Sequence, residues 1–114
     1  MKKIAIIGAG ISGLFFANLI EKNKSYSYKI FERKNSIDLN DGYGVQLSVN
    51  SIKLLNNIGF NKFNNNQLYF PKKVNFLNAK DSKKICDIDL SKFNYENNHY
   101  TPLIISKLIE FLLD

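Results

Sequence analysis

Three glycines at fixed spacing, Gly8, Gly10 and Gly13, follow the apolar run Ile4 to Ile7, and an acid, Glu32, stands nineteen residues beyond the last of them. That order of residue types suits the pyrophosphate and one ribose of a dinucleotide. Gly8 permits a tight turn out of a strand, Gly10 lets the backbone approach the pyrophosphate, and Gly13 lets a helix pack closely on the strands. Ala9, Ile11 and Ser12 fill the spaces between them, where a helix N-terminus offers free N–H groups and the positive end of its dipole to phosphate. Glu32 can accept hydrogen bonds from ribose hydroxyls and would repel a 2′-phosphate, which argues against NADP at this site. The plainer alternative is a glycine-rich turn that binds nothing.

The elements that must position these residues are legible in the pattern. Ile4 to Ile7 is short, continuous and rich in β-branched residues, as in a strand buried on both faces. Leu14, Phe15, Ala17, Leu19 and Ile20 recur at helical spacing between Ser12 and about Asn23. Tyr28, Ile30 and Phe31 make a second strand, so the first thirty-odd residues form one βαβ unit with parallel strands and a right-handed crossover. Arg33 to Gly44, with Asp41-Gly42, reads as a loop.

Beyond that loop comes Val45-Gln46-Leu47, with Ser48 as an N-cap. A helical stripe of Val49, Ile52, Leu55 and Ile58 follows, closed by Gly59. Asn61 to Asn66 reads as a surface connection. Val74 and Phe76, then Ile85, Ile88 and Leu90, flank Lys80-Asp81-Ser82 as two strands joined by a tight turn. Leu103, Ile104, Leu108, Ile109, Leu112 and Leu113 carry helix periodicity to the last residue, Asp114, without a C-cap signal, so the ending reads as cut.

The 114 residues amount to one domain, with 45% hydrophobic and 23% charged content, ordinary values for a globular protein. No apolar run approaches the ~20 residues of a membrane span. The start is no secretory signal, because glycines break its apolar stretch. The net charge of +6 invites a nucleic-acid partner, but fifteen of the sixteen cations are lysines scattered singly or in pairs, and sixteen asparagines accompany them. This matches an AT-rich coding bias better than a phosphate-binding stripe, and nucleic acid is excluded as the expected partner. The single cysteine, Cys86, rules out an internal disulfide and fits a reducing cytoplasm.

Other chemistry-bearing residues take plain readings. His99 lies in the polar stretch Asn97 to Tyr100 with no partnering acid or cysteine, so it reads as a solvated loop histidine. Cys86 sits in an apolar strand pattern and reads as a small core hydrophobe. Asp87 and Asp89 alternate with Ile88 and Leu90, which makes them the wet face of a strand rather than a metal pair. No metal site and no catalytic residue can be assigned.

The stretch Ile7-Gly-Ala-Gly-Ile-Ser-Gly-Leu14, then Phe31-Glu32-Arg33, then Gly42-Tyr-Gly-Val-Gln-Leu-Ser-Val-Asn50 through Ile58-Gly59 resembles the start of the FAD-dependent aromatic-ring hydroxylases. These are flavoprotein monooxygenases of the p-hydroxybenzoate hydroxylase and ubiquinone-biosynthesis hydroxylase type. The resemblance is good over residues 3–59 and looser over residues 60–114. It implies an α/β, Rossmann-like FAD-binding fold with a βαβ N-terminal unit and a β-hairpin excursion. In it Gly8, Gly10 and Gly13 cradle the FAD pyrophosphate, Glu32 binds the adenosine ribose, Arg33 lies beside the adenine end, and Gly44 and Val45 pass near the flavin. The implied activity is NAD(P)H-dependent oxygenation of a small organic substrate with O₂.

Two departures limit that implication. Where the family places a cofactor-contacting arginine, three residues ahead of a leucine aligned with Leu108, this chain has Ile105, and Lys107 is the nearby cation. The family's later Asp-Gly and Gly-Asp motifs and its substrate-covering sheet have no counterpart here, since the one Asp-Gly is Asp41-Gly42. Residues 1–114 therefore read as the N-terminal part of an FAD-binding domain, without the substrate domain. The expectation is a fragment inactive alone unless a second, C-terminal polypeptide completes it. A non-enzymatic dinucleotide-binding module and a piece of an NAD-dependent oxidoreductase stay open as alternatives.

Overall fold

A computed structural model of the chain describes residues 1–40, 42–63 and 68–114. Asp41 of the expected Asp41-Gly42 turn and Asn64 to Asn66 of the expected surface connection lie outside the described residues.

The βαβ unit forms with the expected elements. The run Ile4 to Ile7, expected to be buried on both faces, is covered on one face only, because no second layer among the described residues lies over Ala5 and Ile7. Strands β1 (Lys2–Ile7) and β2 (Tyr26–Phe31) pair in parallel, from Lys2 opposite Tyr26 to Ile7 opposite Phe31. Helix α1 (Ile11–Glu21) covers one face of the pair, with Ala17 and Ile20 packed on Ile6 and flanked by Ile4, Tyr28 and Ile30. The opposite face carries Ala5, Ile7 and Phe31, and it is open: Ile7 is 82% exposed. Parallel sheets are normally covered on both faces, so this one presents half of its usual packing.

A second unit holds the main core. Strand β3 (Gly44–Leu47) leads through Ser48 into α2 (Val49–Asn56), which ends near Gly59 in the left-handed region (φ 103°). Ser48 occupies the N-cap position, but its hydroxyl turns to the side chains of Asn50 and Ser51 instead of a backbone N–H. Strand β6 (Thr101–Ile104) pairs antiparallel with β3 and runs directly into α3 (Ile105–Leu113). The helix expected to begin near Leu103 thus starts at Ile105. Leu103 and Ile104 belong to the strand, where β3 supplies backbone partners that no helix periodicity reveals.

Leu14, Ile52, Leu55, Phe60, Leu103, Leu108 and Leu112 form this core, edged by the Phe60, Phe63 and Phe111 rings at 5.0–5.7 Å. Leu108 is completely buried, worth about 1.5–3 kcal/mol relative to exposure. Asn18 ties α1 to α3, its Nδ2 donating to Leu14 O at 3.0 Å and Leu112 O at 2.8 Å.

Between α2 and β6 the chain makes the hairpin of β4 (Lys73–Leu77) and β5 (Lys84–Asp89), its strands paired antiparallel as expected. Leu90 follows in a 3-10 turn rather than in the strand. One hairpin face is polar, with Asp87 bridging Lys84 (2.9 Å) and Lys73 (3.3 Å). The other carries Phe76, Cys86 and Ile88, all exposed. Cys86 is therefore not a core residue: its alternation is right for a strand, but nothing among the described residues covers that face. The hairpin helps explain a radius of gyration of 17.3 Å, where a compact chain of this length would have about 13 Å. No helix among the described residues is long and apolar enough to cross a membrane.

Candidate functional site

The connection from β1 to α1 is built around its glycines. Gly8 donates its N–H to Phe31 O at 2.8 Å, which prolongs the sheet by one bond, and then turns through φ 101°, a conformation that L side chains rarely adopt. A Cβ on Gly13 would lie 2.1 Å from Gly8 O and 3.2 Å from a methyl of Ile6, so only glycine lets α1 sit this close to the strand. At Gly10 a Cβ would meet nothing within 4 Å, and the residue faces open space. Gly10 is the N-cap of α1, and among the described residues no side chain caps the helix and no acid lies in its first turn. The N–H groups at this end are thus left to an outside anion.

Glu32 follows directly on β2 and reaches back to the turn. Its Oε2 accepts the Ala9 N–H at 2.7 Å and its Oε1 accepts the Lys34 N–H at 3.0 Å. The N–H of Lys34, followed by that of Ala9, holds the carboxyl below its ordinary value, so it is ionised at neutral pH. Each carboxylate oxygen keeps a further lone pair for a hydroxyl donor.

Two hollows flank Gly10. One, of about 440 Å³, is lined by Ile7, Gly8, Gly10, Ile11, Ser12, Gly13, Tyr43, Ile105 and Ile109. The other, of about 170 Å³, is lined by Ala9, Gly10, Glu32, Lys34, Ser36, Ile37, Asp38 and Ile109. Gly10 and Ile109 border both, so the glycine turn is the saddle between them.

Most sequence-derived site residues meet here. Gly8, Ala9, Gly10, Ile11, Ser12, Gly13 and Glu32 border one hollow or the other. Arg33 is exposed and borders neither. Gly44 and Val45 lie on β3 just past Tyr43, with Val45 packed against the core. Ile105 is buried at the start of α3, its N–H donating to Tyr43 O at 3.0 Å. Sequence reasoning missed Tyr43, Lys34, Ser36, Ile37, Asp38 and Ile109. Tyr43 had a signal, an aromatic between Gly42 and Gly44, whereas the others emerge only when the loop after β2 folds against α3.

His99 stands apart. It is half-buried rather than solvated, with its ring 5.3 Å from that of Phe70, in a separate hollow of about 310 Å³ with Asn56, Asn61, Asn97 and Thr101. Among the described residues no group of acids, histidine or cysteine is placed to hold a metal.

The residues present fit a dinucleotide pyrophosphate at Gly10: a turn that a Cβ on Gly13 would disrupt, a helix start with no side-chain cap among the described residues, and the Glu32 carboxylate bonded to the Ala9 N–H beside it. Ile105, where the resemblance led to an arginine being expected, contributes an aliphatic wall instead.

Comparison with known proteins bears on the fold. A family model described as an NAD(P)-binding Rossmann-like domain matches residues 6–40. No curated protein sequence matches. Among solved structures, Klebsiella pneumoniae HpxO complexed with FAD and uric acid superposes with a TM-score of 0.77 at 17% identity, over 99% of this chain and 28% of that one. The tetrameric form of 2-methyl-3-hydroxypyridine-5-carboxylic acid oxygenase gives 0.80 at 16% identity, over 99% and 28%. The 2,6-dihydroxypyridine-3-hydroxylase of Arthrobacter nicotinovorans gives 0.70 at 15%, over 97% and 25%. The chain thus has a Rossmann-like α/β fold shared with these hydroxylases and spans about a quarter of their length.

Proposed function

We propose that this chain is the FAD-binding portion of an NAD(P)H-dependent flavoprotein monooxygenase that hydroxylates a small organic substrate with O₂. The observation that carries the reading is the saddle at Gly10, with hollows on both sides and Glu32 in one of them. A dinucleotide laid across it places its pyrophosphate on the Gly10–Ser12 backbone and its adenosine ribose at Glu32. Support for FAD comes from neighbours crystallised with that cofactor, among them HpxO and CtdE. When bound, the flavin supplies hydride acceptance from NAD(P)H and reaction with O₂.

The chain's own residues bind and orient. Gly8 and Gly13 set the turn, the start of α1 neutralises phosphate charge, and Glu32 orients the ribose while holding Ala9. Gly44, Val45 and Arg33 belong to the same reading, as residues near the flavin and the adenine. Exclusion of water from the flavin, which oxygen chemistry requires, falls to a completing polypeptide seated on the open Ala5, Ile7 and Phe31 face. Oxygenation is a property of that assembly, and the chain alone turns over no NAD(P)H above the free-flavin background. A reducing, cytoplasmic setting accords with the single cysteine.

Calorimetric titration of the folded protein with FAD and with ADP tests the reading. Saturable binding of both is expected. A folded sample that binds neither overturns it, while ADP binding with no gain from the flavin half favours the non-enzymatic module.

A further inference from the structure

We infer that Tyr43 is a cofactor-binding residue, laying its ring against the non-adenine half of the dinucleotide and selecting for a flat aromatic group there. This rests on the dinucleotide reading above. Because Glu32 assigns the smaller hollow to the adenosine ribose, the second half of the ligand must leave the Gly10 saddle on the Tyr43 side.

The wall it meets is distinctive. Besides the glycine turn and Ser12, the described residues that line the larger hollow are Ile7, Ile11, Ile105, Ile109 and Tyr43, none of them charged. Such a lining has little to offer a further phosphate or a charged group. It favours a planar ring system held by stacking and dispersion, with Tyr43 as the aromatic surface among the described lining residues.

Tyr43 is built for contact with a ligand rather than for the core. Its carbonyl is anchored by the Ile105 N–H at 3.0 Å, which fixes the backbone at the rim, while the residue as a whole stays 59% exposed. A large aromatic left in water beside a phosphate cradle offers a face that a ligand ring can cover. With Ile105 in place of a cation, this ring contact supplies affinity on the flavin side of the cleft.

Parallel titrations of wild type, Tyr43→Ala and Tyr43→Phe with FAD and with ADP test the inference, and ADP affinity doubles as the check that each variant is folded. Stacking on an aromatic side chain predicts that wild type binds FAD roughly five- to hundredfold more tightly than ADP. Tyr43→Ala then loses most of that advantage at unchanged ADP affinity, and Tyr43→Phe keeps it. A Tyr43→Ala protein that retains the full FAD-over-ADP preference overturns the inference, as does one that loses both ligands in proportion. Wild-type protein that binds neither nucleotide removes the underlying reading as well.

Discussion

Ala9 donates its backbone N–H to Glu32 Oε2 across 2.7 Å, joining the turn after β1 to the residue after β2. The acid expected to meet a ribose is thereby also a strut of the phosphate-binding turn. Its removal should act twice, on the ligand hydroxyls and on the shape of the cradle.

Glu32→Ala is accordingly expected to weaken ADP and FAD binding on the order of ten- to hundredfold, the range for hydrogen bonds to a charged acceptor. Unchanged affinity by calorimetry would exclude the carboxylate as a ligand.

The same carboxylate has a pH signature. The Lys34 and Ala9 N–H groups hold its folded-state pKa below the ordinary 4.5. A depressed carboxylate contributes stability that is present above its unfolded value and is lost as pH falls through the folded one. Wild type should therefore exceed Glu32→Gln in urea stability at neutral pH, and the gap should close on acidification below about 4.5. A gap constant from neutral to strongly acid pH contradicts the bond pattern.

Gly10 and Gly13 separate binding from folding. Gly10→Ala adds a methyl to open space, so stability should fall by no more than about 1 kcal/mol, the cost of a poorer N-cap, while nucleotide affinity falls. Gly13→Ala drives a methyl to 2.1 Å from Gly8 O and should cost at least the roughly 1–3 kcal/mol of overpacking. Equal stability of the two variants in denaturant melts would mean that α1 is not packed on β1 as described.

How far this was legible in sequence follows from the range of the forces involved. The βαβ unit and its glycines could be read because every requirement there is local: β-branched run, turn glycine, helix stripe, terminal acid. The hairpin was legible for the same reason. Leu103 and Ile104 were not, because their strand exists only through pairing with β3, nearly sixty residues earlier. Tyr43 and Ile109 likewise join the site through a tertiary meeting of the β2–β3 loop with α3. Cys86 was misplaced because alternation reveals which face a residue takes but not whether anything covers that face.

Its exposure is directly measurable. Cys86 should be modified by a thiol reagent in the native protein at a rate close to that in denaturant, and Cys86→Ser should change stability by no more than about 0.5 kcal/mol. Protection from the reagent in a monomeric sample would show that the hairpin face is covered.

The most direct test of the central claim is the map of backbone amide NMR shifts on titration with ADP. Binding at the glycine saddle predicts the largest perturbations at Gly8 to Ser12 and at Glu32 and Lys34, with β4 and β5 silent. Perturbations centred instead on the His99 and Phe70 hollow, or none at saturating ADP in a folded sample, would contradict it.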